Sequence, residues 1–452
     1  MNPEFIFRSF VGVVVLIGIA YLFSRNRSGI SWRQVLIGLI LQLVLGILLT
    51  QIPFVQTMFG YIGKGFVAIT SFTADGARFI FGEKLMDPSN EYVGFIFVIQ
   101  VLPILIFFSA LSSALYYLGI LQFVVKIFAW IMARTMRLSG AESISAAANV
   151  FLGQTEAPLL VKPYVAKMTR SEMLCLMTAG MATIAGSVLA TYVGMMVPPD
   201  VLAMAAGPLK DAAIEAAKTE MASRLLIASL MNAPAAIVFS KILIPETNPE
   251  AINADLRVSN ESIGANFIDA LANGTTEGLK LAMNVAAMLL TFIAIIYMLN
   301  AFMSGVIGDW TYGGDITLNE WVTCSTSGRF DGFSLQYLLG QMFRLVAFAM
   351  GVEWVDTLVV GSLLGTKTIV NEFVAYSDLS RMPLSLMSEH SRVITTFALC
   401  GFANFSSIAI QIGGIGGLAP EKRPEISKLG LLAVLGGTLA TFMSGTIAGS
   451  LY

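Results

Sequence analysis

Six long stretches of the sequence contain no aspartate, glutamate, lysine or arginine, and they constrain the fold more than any other feature. Each is at least as long as the ~20 residues that cross a bilayer as a helix. These stretches are residues 34–63, 92–125, 173–199, 281–308, 393–420 and 429–452. Two shorter apolar runs, 10–24 and 225–240, have the same character with polar ends. The sequence therefore predicts an all-α polytopic membrane protein.

Composition supports this class and argues against others. The 452-residue chain is 56% hydrophobic and 12% charged, whereas soluble proteins carry about 25% charged residues. The net charge of −2 gives no indication of a nucleic-acid partner. Three scattered cysteines and one histidine predict neither a disulfide framework nor a multi-histidine metal centre. The first apolar run is not followed by a small-residue cleavage site, so we expect a retained span rather than a signal peptide.

The basic residues predict how the chain crosses the membrane. Short segments rich in lysine and arginine stay in the cytoplasm. In this chain they are residues 24–33, 126–137, 162–170 and 421–428. The loops at 200–220 and 305–331 are then expected outside, together with both termini. The eight full spans that we expect lie near residues 6–24, 33–52, 91–122, 171–197, 222–243, 279–304, 391–413 and 428–450.

Two apolar blocks, 141–168 and 361–382, do not fit as spans because polar residues, glycine or proline interrupt them. Each is followed by an apolar segment with a small, polar interruption of its own, at 183–187 and at 402–407. The charge pattern starts the two blocks on opposite sides of the membrane. The sequence therefore predicts an inverted repeat of a re-entrant hairpin followed by a broken helix, which points to a transporter with its binding site near the midplane.

Each block carries one carboxylate at membrane depth, Glu156 in the first and Glu372 in the second. A buried ionisable group costs at least ~2.5 kcal/mol on insertion scales and is by default a candidate functional site. The alternative is a structural hydrogen bond, or a hairpin tip that reaches water. A carboxylate in each half of a repeat favours function.

Neutral polar residues beside the carboxylates suggest what they bind. Gln154, Thr155 and Asn404 offer the donors and acceptors that complement a nucleobase edge or ribose hydroxyls. The ring of Phe402 would stack on a flat ligand, with ordinary helix packing as the alternative.

A second group of oxygen-bearing residues suggests a cation site. Asn149, Thr183 and Ser187 offer ligands suited to a small hard cation, near carbonyls that are freed where a hairpin meets a helix break. The alternative is packing of small polar residues between membrane helices.

Three motifs carry a family resemblance. Residues 145–159 are SAAANVFLGQTEAPL, residues 371–376 are NEFVAY and residues 400–407 are CGFANFSS. They closely resemble signature stretches of the concentrative nucleoside transporters, in particular the sodium-coupled bacterial type. The likeness extends over about residues 91–450 and is weaker at the N-terminus.

The resemblance implies a homotrimer in the bacterial inner (plasma) membrane, in which a transport domain moves in an elevator-like way against a scaffold. The scaffold would comprise residues 1–125 and 246–333. The two transport repeats would be 126–245 and 334–452, each with an interfacial helix, a hairpin, a broken helix and a final helix. The implied function is nucleoside import driven by a sodium gradient, without enzymatic activity.

The resemblance also implies roles for individual residues. Those near the nucleobase would be Gly153, Gln154, Thr155, Glu156 and Val188. Those near the ribose would be Glu372, Asn404 and Ser407, with Phe402 beside the base. Those that bind the sodium ion would be Asn149 and Thr183, with the backbone carbonyls of Leu152 and Ile184. Thr183 replaces a serine of the family and keeps the hydroxyl, and Thr155 favours sodium over protons.

Three alternatives stay open. A membrane-embedded enzyme would need a nucleophile–base pair or metal ligands, which the residues do not suggest. A passive channel would not accumulate its substrate. A proton-coupled nucleoside or nucleobase symporter is the strongest of the three.

Overall fold

The computed structural model describes residues 3–86, 96–204, 207–247, 264–311 and 316–452. Within these ranges the ordered elements are helices, and the one extended pairing is an isolated bridge between Thr311 and Thr317. The predicted all-helical class is confirmed.

The N-terminal part contains apolar spans and one long amphipathic helix. Its helices are α1 (Pro3–Leu22), α2 (Trp32–Gln51), α3 (Pro53–Phe81), α4 (Glu83–Met86), α5 (Phe97–Gln100) and α6 (Leu102–Tyr117). The expected spans do not include α3. Its buried side chains recur at intervals of three, four or seven residues from Phe59 to Ala77, so one face packs inward.

The first predicted repeat begins with an amphipathic helix, followed by a hairpin, two half-helices and a long helix. These are α7 (Ile120–Met136), α8 (Gly140–Asn149), α9 (Lys162–Val165), α10 (Arg170–Ala182), α11 (Gly186–Met195), α12 (Pro199–Leu202) and α13 (Pro208–Leu243). We call α8, α9 and the residues between them the first hairpin. Capping boxes fix the starts of α8 and α10.

The same order of elements occurs again near the C-terminus, after α14 (Phe267–Phe302) and α15 (Leu318–Ser325). The helices of this second set are α16 (Leu335–Ala349), α17 (Thr357–Ile369), α18 (Glu372–Arg381), α19 (Glu389–Leu399), α20 (Phe405–Leu418) and α21 (Arg423–Leu451). We call α17, α18 and the turn between them the second hairpin.

The breaks lie within the two spans in which the sequence predicted them. Seven helical segments of the described residues are long and apolar enough to cross a membrane. The remaining expected span, 391–413, consists of α19 and α20, which are separated by residues 400–404. The expected span 171–197 is likewise divided between α10 and α11. The apolar composition of these segments predicts that they lie within the membrane, and their polar interruptions predict the breaks.

Two helices are longer than predicted. α13 begins at Pro208, so most of the expected loop 200–220 is helical. This stretch combines alanines with lysine and glutamate, which are strong helix formers. α14 begins at Phe267 instead of near 279. The first residues of the expected span 91–122 and part of the 305–331 loop lie outside the described residues.

The hairpins, half-helices and final helices form the centre of the bundle. Buried residues make up 94% of the apolar windows in the α10–α11 segment and in α13, and 83% in α21, but only 11% in α14 and 22% in α1. α21 packs against α10, α13 and α19. The helices outside this centre present apolar side chains to their surroundings, as expected for lipid contact.

Candidate functional site

The two helix breaks meet in the centre of the bundle. α10 ends at Ala182 and is followed by Thr183 in an extended conformation, and α19 ends at Leu399 and is followed by Cys400. Gly401 follows with a φ of 154°, and a Cβ there would lie 2.4 Å from the carbonyl oxygen of Ala182. This close approach requires glycine and brings the end of α10 against the loop after α19.

Asn232 of α13 joins both breaks. Its buried Nδ2 donates to the carbonyl oxygens of Ala182 at 2.8 Å and Cys400 at 2.7 Å. Carbonyls at a helix C-terminus lack partners within the helix. The Asn232 side chain supplies those partners and holds the two broken helices together.

The tip of the first hairpin lies against the second half of the first broken helix. The N–H of Gly186 donates to the carbonyl oxygen of Phe151 at 3.1 Å. Within the tip, Glu156 Oε2 accepts a hydrogen bond from the N–H of Gly153 at 3.3 Å. Glu156 is half-buried, and Thr155 is exposed. A Cβ on Gly414 would lie 3.2 Å from Thr155 Cγ2, so the tip lies between α11 and α20.

Glu372 is the centre of a polar network at the second hairpin. Its Oε1 accepts a hydrogen bond from the Tyr192 hydroxyl at 3.0 Å, and its Oε2 accepts one from Nδ2 of Asn404 at 2.8 Å. Asn404 also caps α20, because its Oδ1 accepts a hydrogen bond from the N–H of Ser407 at 2.9 Å. The carboxylate therefore links α11, α18 and α20, and only 5% of Glu372 is exposed.

Gln154 connects the two hairpin regions. Its Nε2 donates to Ser407 Oγ at 3.1 Å, and its Oε1 accepts a hydrogen bond from Gln411 Nε2 at 3.1 Å. Gln411 also donates to the carbonyl oxygen of Met177 at 2.9 Å. A residue predicted to bind the base thus contacts one predicted to lie near the ribose.

Two apolar residues complete the predicted substrate set. Val188 is buried in the first turn of α11, one turn before Tyr192. Phe402 is half-buried in the break between Cys400 and Asn404. Both therefore lie on the elements that carry the polar network.

The residues predicted to bind sodium are buried where the first hairpin meets the first break. Asn149 is the last residue of α8, and its Nδ2 donates to the carbonyl oxygen of Ser145 at 2.9 Å. Its Oδ1 is buried and has no hydrogen-bond partner within the described residues. The Thr183 hydroxyl donates to the carbonyl oxygen of Ala179 at 2.8 Å, which leaves its oxygen lone pairs available. Leu152 and Ile184 are also buried. These oxygens fit a small hard cation.

Four residues of this region were missed from the sequence. They are Tyr192, Asn232, Lys367 and Gln411. Tyr192, Asn232 and Gln411 each lie in an apolar span, and Lys367 is a charged residue in the second interrupted block. A polar side chain within an apolar segment is the sequence feature that marks these residues. Their hydrogen-bond partners come from distant parts of the chain, so the sequence does not indicate what each residue binds.

Two cavities of about 460 Å³ lie away from this network. One is lined by the ends of α14 and α18, including Asp378 and Arg381. The other is lined by the start of α13 and by α19, including Arg224 and Arg392. Neither contains a predicted substrate residue.

Three family models match the chain. They are described as Na+ dependent nucleoside transporter N-terminus over residues 11–84, nucleoside recognition ("Gate") over 98–199, and Na+ dependent nucleoside transporter C-terminus over 224–449. Together they span both hairpins and both breaks.

Similar proteins agree with these models. An uncharacterized transporter of Haemophilus influenzae is 41% identical, over 98% of this chain and 96% of its own. The nucleoside permease NupC of Helicobacter pylori is 36% identical, over 98% of this chain and 96% of its own. The solved structure of CNTnw in an inward-facing substrate-bound state is 37% identical, with a TM-score of 0.84 over 99% of both chains. A CNTnw variant in an outward-facing state is 36% identical and has a TM-score of 0.85 over 100% of this chain and 98% of its own.

Proposed function

Since this chain belongs to the Na+-dependent nucleoside transporter family, we propose that it imports nucleosides by sodium symport across the inner membrane. The observation that carries the proposal is the polar network around Glu372, which is buried beside the two helix breaks. The family consists of transporters, so the network serves recognition and movement rather than catalysis.

The network suits a ribose. A carboxylate accepts about four hydrogen bonds, and Glu372 accepts side-chain hydrogen bonds from Tyr192 and Asn404. The remaining acceptor positions suit the donor hydroxyls of a sugar. Phe402, which lies in the same break as Asn404, offers a ring face to the base.

The first hairpin suits a base. The amide of Gln154 carries both a donor and an acceptor. When a base binds, its edge can replace Ser407 and Gln411 as the hydrogen-bond partners, so both groups of the amide keep a partner. Glu156 and Thr155 lie at the same tip and are more accessible than Gln154. We assign base selection to this tip, together with Gly153 and Val188.

Oδ1 of Asn149, which has no hydrogen-bond partner in the described part of the chain, supports sodium over proton coupling, because an amide oxygen is a cation ligand and not a titrating group. We propose that Asn149, Thr183 and the carbonyls of Leu152 and Ile184 bind the ion. Bound sodium would supply positive charge at the negative end of α10. Ion binding there would also fix the contact between the first hairpin and the break.

We further propose an elevator-type movement of residues 126–245 and 334–452 against a scaffold formed by 1–125 and 246–333, in a homotrimer with both termini outside. The repeated order of elements and the burial of their helices support this division. The two solved conformations of CNTnw, inward-facing and outward-facing, belong to a protein of the same fold.

Competition for uptake tests the substrate assignment. Labelled uridine uptake into proteoliposomes is measured against unlabelled uridine, 2′,3′-dideoxyuridine and uracil. We expect uridine to compete about ten- to a hundred-fold better than the dideoxy analogue, because a hydrogen bond to a charged group is worth about 1.5–3 kcal/mol. Equal competition by the two nucleosides would refute ribose recognition by Glu372.

A further inference from the structure

Lys367 is a fully buried lysine in the second hairpin, and the transport scheme above does not use it. Its Nζ donates to the carbonyl oxygen of Ala398 at 2.7 Å and to Thr441 Oγ1 at 2.7 Å. The ammonium also lies 5.7 Å from the centre of the Phe442 ring. A lysine this deep is costly unless its charge is used.

The position of this ammonium is set by a helix end. Ala398 is the second-to-last residue of α19, so its carbonyl is among those without a partner in the helix. The C-terminal end of a helix also carries partial negative charge. Lys367 therefore places its amino group against the negative end of the second broken helix.

The first repeat has a matching arrangement with a different chemical group. There, the end of α10 is faced by Asn149, the last residue of the first helix of its hairpin. A Cβ on Gly180 in the last turn of α10 would lie 3.4 Å from Asn149 Oδ1. In each repeat, therefore, the N-terminal helix of the hairpin (α8 or α17) brings a side chain to the C-terminal end of the half-helix that follows the hairpin (α10 or α19). One side chain is a cation and the other is a cation ligand.

We infer that Lys367 is a tethered cation that occupies, in the second repeat, the place that the sodium ion occupies in the first. The comparison with sodium rests on the proposed function, whereas the contacts of Lys367 do not. The second hairpin then needs no free ion to close against its broken helix, so ion coupling is confined to the first repeat. Lys367 is a positioning residue: it holds the second hairpin, and with it Glu372, in the binding geometry.

Two substitutions that introduce unbranched side chains of similar length separate the role of Lys367 as a cation from a role in packing alone. Lys367→Gln and Lys367→Met both remove the charge, but only glutamine offers an oxygen ligand to a cation. The apparent Tm of the purified protein, without substrate, is measured in sodium chloride and in choline chloride. We expect both variants to unfold at a lower temperature than the wild type in choline. Sodium should then restore Lys367→Gln more than Lys367→Met, because binding to the folded state stabilises it.

Uptake gives a second readout. Lys367→Met should lower uptake about ten-fold or more, as expected when one buried partner is lost. Lys367→Gln should retain uptake with a steeper dependence on sodium than the wild type, because a second free cation is then required. Lys280→Gln is the control, since Lys280 is an exposed lysine on α14 paired with Glu277. It should match the wild type in both readouts.

The inference is overturned if Lys367→Gln and Lys367→Met respond equally to sodium, or if Lys367→Met transports like the wild type. The wild type and Asn149→Leu separate this failure from that of the proposed function. If the Tm of the wild type does not change with sodium, sodium coupling is refuted, and the comparison of Lys367→Gln with Lys367→Met still decides the role of Lys367. If sodium raises the Tm of the wild type but not that of Asn149→Leu, the proposed sodium coupling stands, whatever the Lys367 variants show.

Discussion

At the scale of single residues, the site satisfies a buried carboxylate with neutral donors. Glu372 accepts hydrogen bonds from Tyr192 and Asn404, and within the described residues it forms no direct ion pair. A carboxylate exchanges neutral hydrogen-bond donors for a ligand more readily than it exchanges a salt-bridge partner. Breaking a salt bridge would leave the partner's opposite charge buried without a counter-charge. Such a group is suited to binding and releasing a neutral sugar.

Replacing Glu372 with glutamine tests this role. Glu372→Gln removes the charge and two of the acceptor positions, so we expect nucleoside affinity to fall about ten- to a hundred-fold. The variant should also discriminate less between uridine and its dideoxy analogue. Competition assays in proteoliposomes measure both effects. Asp75→Asn, at an exposed aspartate of α3 paired with Arg78, is the control, and an unchanged preference in Glu372→Gln would contradict the assignment.

Asn149 makes a separate prediction for the ion. Asn149→Leu removes the unpartnered oxygen, so the sodium concentration for half-maximal uptake should rise about ten-fold or more. Asn149→Ser keeps an oxygen and should be affected less. The measurement is initial uptake over a sodium series at fixed pH. If the leucine variant has the sodium dependence of the wild type, Asn149 is not a ligand.

At the scale of elements, the broken helices depend on one asparagine. Asn232 supplies both donors at the meeting point of the breaks. Asn232→Leu would leave two buried carbonyls without these partners, at a cost of about 1–3 kcal/mol for each. We expect a lower Tm together with loss of uptake per folded molecule.

A matched control separates local stability from transport. Asn319 of α15 also makes hydrogen bonds from both ends of its amide, to the carbonyl oxygen of Ser304 and from the N–H of Phe333, all within the proposed scaffold. Asn319→Leu should lower the Tm and leave uptake per folded molecule close to that of the wild type. If both variants lose uptake equally, the Asn232 contacts have no special role in transport.

The sequence predicted the elements better than their partners. The charge-free stretches located the spans, and the polar interruptions at 183–187 and 402–407 marked the breaks, because these are properties of neighbouring residues. The contacts of Asn232 and Lys367 join helices from different parts of the chain, so no local pattern contains them. The charged residues of 208–220 predict a loop, whereas the structure has the start of α13 there, because alanine, lysine and glutamate are strong helix formers.

At the scale of the whole molecule, a buried centre is surrounded by helices with far more exposed surfaces. Apolar contacts join the two, as between Phe97 of α5 and Phe373 of α18, whose ring centres lie 5.2 Å apart. Hydrogen bonds also join them, such as the one that Gln42 Nε2 of α2 donates to Ser444 Oγ of α21 at 2.9 Å. A movement of the centre against the periphery can slide along the apolar contacts but has to exchange such hydrogen bonds.

Cross-linking tests that movement. In a background without the three native cysteines, Phe97→Cys with Phe373→Cys joins the proposed scaffold to the proposed moving part. A flexible bifunctional reagent should stop uptake in this pair. The control, Tyr117→Cys with Phe267→Cys, replaces rings 6.4 Å apart within the proposed scaffold and should transport after cross-linking. Full transport by the first pair when it is completely cross-linked would refute the elevator division.

The most direct test of the central claim is accumulation of radiolabelled uridine and adenosine by proteoliposomes, with and without an inward sodium gradient. With sodium outside, we expect transient accumulation above the external concentration for at least one nucleoside. That accumulation should be lost in choline and in Asn149→Leu. Equal uptake in sodium and choline at fixed pH, or uptake that never exceeds the external concentration, would contradict the central claim.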